Sequence, residues 1–177
     1  MKLKVMDTDS PDIAVLESIN EEAIPSCERN SLEDLINTGA TVIGIYTDEP
    51  VGFMVIREFG TLIYLAYLAI RQDLRSNGFG GIAVRDLISA FPENMIVVEY
   101  EAIDPLSADN DINIRRKNFY LGNGFSETGY FTFYDNTEFE IGCAGKDFDI
   151  DVFGKFTEYL SNIVSDHIPK PYKKQSV

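Results

Sequence analysis

Polar and apolar residues alternate from Lys2 to Met6, the period of a half-buried strand. Ser10-Pro11-Asp12 then offers a helix start, with Ser10 as cap and Pro11 in the first turn, and Ile13, Leu16 and Ile19 recur at helical spacing. Residues 24–29, Pro25 among them, lead to Ser31-Leu-Glu-Asp34. That run has capping-box form and opens a short second helix ending near Gly39. Three strands follow, Thr41 to Tyr46, Val51 to Arg57 and Leu62 to Ile70, with turns at Asp48-Glu49-Pro50 and Gly60. The third is apolar almost throughout, which suits a strand buried on both faces.

The period then changes from 2 to 3.6. Ile82, Val84, Leu87, Ile88 and Phe91 predict the buried face of a helix from about Gly80 to Phe91, ended by Pro92. Met95 to Glu101 reads as a strand, and Ile112 to Leu121 as a helix stopped by Gly122. Phe125 to Tyr134 and Thr137 to Cys143 form a hairpin around Asp135-Asn136. Val152, Phe153, Phe156, Leu160, Ile163 and Val164 mark an amphipathic helix over Asp149 to Asp166, closed by Pro169 and Pro171. The basic tail Lys170-Pro-Tyr-Lys-Lys is expected to be mobile. The order is βααβββαβαββ plus a C-terminal helix, an α/β (α+β) domain on a mixed sheet.

Composition narrows the function. The 177 residues, 45 % hydrophobic and 25 % charged, suit one soluble domain. No apolar run approaches a membrane span, and the N-terminus has no apolar stretch of the signal-peptide kind, so the expected location is cytoplasmic. The two cysteines, Cys27 and Cys143, are not spaced for a metal, and the one histidine, His167, lies near the C-terminus. A metal site or a Cys-His or Ser-His-Asp pair is therefore not expected. The net charge of −14 disfavours nucleic acid as a partner and favours small cationic ligands.

The run that carries chemistry is Arg75-Ser-Asn-Gly78-Phe-Gly80-Gly81, between a buried strand and an amphipathic helix. Glycines let successive N–H groups turn inward as an anion nest, the helix start adds its positive end, and Arg75 can supply a fixed charge. Two ligands fit that description. Gly78-Phe-Gly80-Gly-Ile-Ala83 has the form of a dinucleotide fingerprint, with Glu99 or Glu101 about 20 residues on. That fingerprint follows its strand directly, however, and here Arg71 to Asn77 intervenes.

A second run, Asn113-Ile-Arg-Arg-Lys-Asn-Phe-Tyr120-Leu-Gly-Asn-Gly124-Phe125, decides between them. Together the two runs resemble the GNAT superfamily of acyl-CoA-dependent N-acetyltransferases, the first as its Arg/Gln-x-x-Gly-x-Gly/Ala element, the second as its helix ending in Tyr-x-x-x-Gly-Phe. The resemblance covers Ala40 to about Cys143, is looser before Gly39, and leaves the C-terminal helix unexplained. It implies a mainly antiparallel central sheet flanked by helices. It also implies acetyl-CoA as donor, with its pyrophosphate cradled by Arg75, Ser76, Asn77, Gly78, Phe79, Gly80 and Gly81. Leu68, Ala69 and Ile70 would hold the pantetheine arm and acetyl carbonyl, Asn113 would touch the cofactor, and Tyr120 would stand near the sulfur as general acid. A primary amine then attacks the thioester without a covalent enzyme intermediate.

This chain departs from the family in two places. Arg116 stands where a small residue is common, so Arg115, Arg116 and Lys117 face either phosphates or solvent. Tyr64 stands where some members carry a base carboxylate, and tyrosine is a poor base at neutral pH. Glu99 and Glu101, two apart on one strand and so on one face, are the candidates to bind a cationic amine and accept its proton. Glu28-Arg29 would help shape the acceptor pocket. A non-catalytic acyl-CoA-binding domain is the other alternative. The expected organisation is a catalytic domain over 1–145 and a helical extension with a basic tail over 146–177, whose apolar helix face packs on its own domain or in a homodimer.

Overall fold

The structure is a computed structural model that describes residues 1–26, 28–134, 136–164, 168 and 170–174. Expectations placed on Cys27, Asp135, His167 and Pro169 lie outside the described residues. The fold is mixed α/β, with eight mostly antiparallel strands and flanking helices, as the resemblance implies. The chain divides into two compact units, Met1–Glu58 with Tyr64–Leu87, and Phe59–Ile63 with Ile88–Val177.

The first unit contains β1 (Lys2–Met6), α1 (Ile13–Ala23), α2 (Leu32–Asn37), β2 (Thr41–Tyr46), all but the last residue of β3 (Pro50–Phe59) and all but the first two residues of β4 (Leu62–Ile70), with strand order β1-β2-β3-β4. Its core joins Leu16 and Ile19 of α1 and Leu32 and Leu35 of α2 to Val42, Phe53, Val55 and Ala69 of the strands. Helix α1 starts later than the sequence predicts. The Ser10 hydroxyl donates to the Asp7 carboxylate and accepts from the Asp7 N–H, so it closes a turn instead of capping a helix. The second helix keeps its predicted cap. Ser31 Oγ accepts from the Asp34 N–H at 3.0 Å and donates to its carboxylate at 2.7 Å.

A 3₁₀ turn, Gln72–Leu74, leads from β4 to α3 (Phe79–Ala90). Ala83, Val84 and Leu87 of α3 are buried as a helical stripe, whereas Ile82, expected inside, is 37 % exposed. Gly81 and Ala83 complete the buried face instead.

The second unit holds β5 (Met95–Glu101), α4 (Asn110–Leu121), β6 (Ser126–Tyr134), β7 (Thr137–Gly145), α5 (Ile150–Val164) and β8 (Tyr172–Lys173), with strand order β5-β7-β6-β8. Gly122 caps α4 in a right-handed conformation, and the left-handed turn falls at Gly124, φ +103°. Helix α5 buries Phe153 and Phe156 within the chain, against Phe148 and Phe59. The basic tail is anchored where mobility was expected: Lys173 and Tyr172 pair with Tyr130 and Phe131 of β6. Tyr172 also donates to Glu138 at 2.7 Å.

Candidate functional site

The glycine-rich segment lies between the 3₁₀ turn and α3. Ser76 (φ +66°) and Gly78 (φ +84°) both lie in the left-handed region, which serine adopts at a cost of about 1 kcal/mol. The alternation folds the loop back on itself before α3. Two side chains hold that shape. Arg75 Nε donates to the Ile70 carbonyl at 3.1 Å, tying the loop to the end of β4, and Asn77 Nδ2 donates to the Leu74 carbonyl at 3.0 Å. The first backbone bond inside α3 runs from Ile82 N–H to the Gly78 carbonyl. The N–H groups of Phe79, Gly80 and Gly81 thus belong to the helix start, where donors have no intrahelical acceptor and the dipole end is positive. Arg71, just before, forms a two-point pair with Asp73 at 2.7 and 3.1 Å.

Beside this cradle, β3 and β4 approach unusually closely. A Cβ on Gly52 would stand 2.2 Å from the Ala69 carbonyl oxygen, so glycine is what lets Leu68-Ala69-Ile70 lie there.

In the second unit Tyr120 is 8 % exposed. Its ring stacks on Tyr100 (centroids 5.7 Å apart, planes 13° apart) and meets Phe125 edge-on. Burial pushes its hydroxyl up to about 12, against a small opposing pull from Arg116. The Tyr100 hydroxyl is buried with no hydrogen-bond partner, and its ring lies over Gly142, where a Cβ would come within 3.0 Å. Burial, with the Glu140 and Glu127 carboxylates adding to it, raises its pKa. An unpartnered buried hydroxyl costs about 1–3 kcal/mol. Tyr100→Phe is therefore expected to raise the free energy of unfolding by about 1 kcal/mol in a denaturant titration.

The remaining expected residues have partners of their own. Asn113 is buried, and its Nδ2 donates to the Ala102 carbonyl at 3.4 Å. Glu99 accepts from the Thr132 hydroxyl, and Glu101 pairs with Arg116. Within the basic run of α4, Arg115 and Arg116 are exposed, and only Lys117 turns inward. Arg115 Nε donates to the Asp111 carbonyl, and the Lys117 ammonium, 16 % exposed, lies between Glu127 and Glu140. Burial alone would lower the Lys117 pKa, but its bonds to the two carboxylates hold it above the ordinary lysine range. These residues line a pocket of about 350 Å³ with Ala102, Ile103, Phe131 and Lys174. Nothing local in the sequence marks that triad, because its members lie on three elements. Cys143 is a core residue whose thiol burial pushes up to about 12.

No described helix is long and apolar enough to cross a membrane, and no cluster of metal-ligating residues occurs among the described residues.

Comparison with known proteins agrees with this geometry. The sequence matches the family described as acetyltransferase (GNAT) over residues 12–125. No curated protein sequence matches it. Among solved structures, a protein described as a GNAT-family acetyltransferase from Bacteroides thetaiotaomicron superposes with a TM-score of 0.73 at 23 % identity, over 93 % of this chain and 98 % of its own. A Bacillus subtilis acetyltransferase in complex with CoA gives 0.61 at 14 % identity, over 82 % and 98 %. The aminoglycoside 6'-N-acetyltransferase of Enterococcus faecium gives 0.60 at 15 %, over 81 % and 96 %. At such identities the structures attest the fold alone, whereas the family match spans most of the chain and takes in both the cradle and the Tyr120 helix. This chain belongs to the GNAT family of acetyltransferases, whose typical acyl donor is acetyl-CoA.

Proposed function

We propose that the protein transfers an acetyl group from acetyl-CoA to a primary amine, a cationic one, by direct attack on the thioester. The observation that carries this reading is the cradle between β4 and α3, with left-handed Ser76 and Gly78 ahead of an open helix start. Backbone strain held at one point by side-chain ties is characteristic of a binding loop. Arg75, Ser76, Asn77, Gly78, Phe79, Gly80 and Gly81 would take the pyrophosphate. Leu68, Ala69 and Ile70 would hold the acyl arm, with a strand N–H stabilising the oxyanion. Residues 71–78, with their 3₁₀ turn, weigh against the dinucleotide reading, in which the loop follows the strand at once. The charge of −14 and the half-buried Glu99 and Glu101 support a cationic acceptor.

A phenol near 12 is a weaker acid than a thiol of about 8.5, so full proton transfer to a departing thiolate is uphill by about 3–4 units. That favours Tyr120 as a hydrogen-bond donor to the developing thiolate over a full proton donor. Tyr120→Phe is expected to lower kcat about ten- to a hundredfold with little change in the KM for acetyl-CoA, measured by thiol release. The decisive experiment is thiol release from acetyl-CoA over a panel of amines, with thermal stabilisation by acetyl-CoA, NAD and NADP alongside. Stabilisation by NAD or NADP with none from acetyl-CoA would overturn the proposal. Binding of acetyl-CoA without turnover on any amine would favour a non-catalytic acyl-CoA-binding role, a reading to which the internal partners of Glu99 and Glu101 lend some weight.

A further inference from the structure

Helix α4 is fixed to its sheet by three contacts on one stripe. Asn113 Nδ2 donates to the Ala102 carbonyl, the Lys117 ammonium contacts both Glu140 oxygens, and the Tyr120 ring stacks on Tyr100. These positions, spaced four and then three apart, form the inner face of the helix. Arg116 lies at the edge of that face, one turn before Tyr120. Its guanidinium pairs with the carboxylate of Glu101, the last residue of β5. Burial raises the Tyr120 pKa to about 12 and the Arg116 charge opposes that rise, so the guanidinium is felt on the Tyr120 side of the helix.

Two ion pairs of α4 are thus neighbours in sequence and differ in kind. In Lys117–Glu140 the side chains are 16 % and 7 % exposed, and breaking the pair leaves a buried charge. In Arg116–Glu101 they are 44 % and 25 % exposed. Water reaches both groups of the second pair, so it contributes little to stability, and either partner can be exchanged for a ligand of the same sign. Arg116 also stands where the family commonly carries a small residue. The place beside Glu101 therefore holds a cation supplied by the chain itself, at one of the two carboxylates read as binding a cationic acceptor.

We propose that Arg116 is a positioning residue on the acceptor side: its guanidinium occupies the Glu101 carboxylate in the resting enzyme, and the ammonium of the acceptor binds by taking its place. This rests on the acetyl-transfer reading with Glu101 as an acceptor carboxylate, and adds to it the group that the acceptor must displace. The displaced guanidinium is already exposed and moves into solvent, so the exchange leaves no charge buried without a partner. The internal partner of Glu101 is then no obstacle to turnover. It sets the amine concentration that turnover requires.

Arg116→Ala restores a small residue and frees Glu101. With the best amine from the thiol-release panel, the KM for amine is expected to fall about two- to fivefold, as the removal of one exposed ion pair implies. A structural lesion would raise that KM, so the direction is part of the test. Arg116→Lys keeps the charge and should return the amine KM toward the wild-type value. Arg115→Ala removes the same charge one position earlier, where the side chain bonds to the Asp111 carbonyl, and should leave the amine KM unchanged. In a Glu101→Gln background the Arg116→Ala change should have no further effect on it, because the competition is gone. The proposal is overturned if the amine KM of Arg116→Ala is unchanged or raised, if Arg115→Ala lowers it as much, if Arg116→Lys fails to restore it, or if the effect survives in the Glu101→Gln background. A wild-type chain that turns over no amine would remove the acetyl-transfer reading and this inference with it, whereas turnover with an unchanged amine KM in Arg116→Ala would remove the inference alone.

Discussion

Alanine at position 52 is expected to lower kcat/KM for acetyl-CoA by about a hundredfold and to reduce the melting temperature by several degrees. The new Cβ would lie 2.2 Å from the Ala69 carbonyl oxygen and 3.1 Å from the Ile70 Cα, both backbone atoms with no rotamer to change. Contacts that short do not persist, so β4 must move away from β3. Overpacking of this kind costs about 1–3 kcal/mol, and the displaced stretch is the one proposed to hold the acyl arm. A displacement of about 1 Å there accounts for the rate. Gly60→Ala is the control. Its φ of +58° makes alanine strained as well, but no atom lies within 4 Å of the added Cβ. It should lose stability and keep its kinetics. Equal loss of activity in both variants would mean that global destabilisation, and not the position of β4, governs the rate.

The second large effect is expected at Lys117. Lys117→Met should cost about 3–5 kcal/mol, because it leaves Glu140, 7 % exposed, as a buried carboxylate without its cation. The Lys117 ammonium stands 2.8 and 3.0 Å from the two Glu140 oxygens. Lys146→Met, which breaks a pair with Glu93 at side-chain exposures of 54 % and 82 %, should cost at most about 1 kcal/mol. The pH dependence is diagnostic. In the wild type the bond to Lys117 holds the Glu127 carboxyl below the ordinary range, so its contribution to stability is lost as pH falls below about 4.3. Lys117→Met removes that contribution, and denaturant titrations at pH 7 and pH 3 read the difference. A variant as stable as wild type at pH 7 would show that Glu140 is solvated after all.

What was legible in the sequence divides by distance along the chain. Met95–Glu101 and Leu62–Ile70 coincide with observed strands because their signals are local runs of apolar residues. The cradle was legible for a similar reason, since Gly78 and the helix start behind it are neighbours in sequence. Ser10 misled because Asp7, three residues earlier, competes for its hydroxyl. Ile82 misled because a helix can bury small residues on the adjoining stripe and leave a large one outside. Lys117 read as part of a basic surface run, and its partners stand ten and 23 positions away on two strands. Contacts of that range leave no local mark in the sequence.

The two-residue strand β8 bears on what the edge of β6 offers to other chains. Without it, β6 would offer a row of unpaired N–H and C=O groups beside exposed Phe133 and Tyr134, a template on which another chain can add a strand. Tyr172 and Lys173 occupy that row at Phe131 and Tyr130, and the ammonium groups of Lys173 and Lys174 lie 5.7 and 4.4 Å from the ring centres of Tyr130 and Phe131. Charge on an outermost strand discourages stacking of sheet on sheet. A chain shortened before Tyr172 is therefore expected to lose solubility first, read by light scattering.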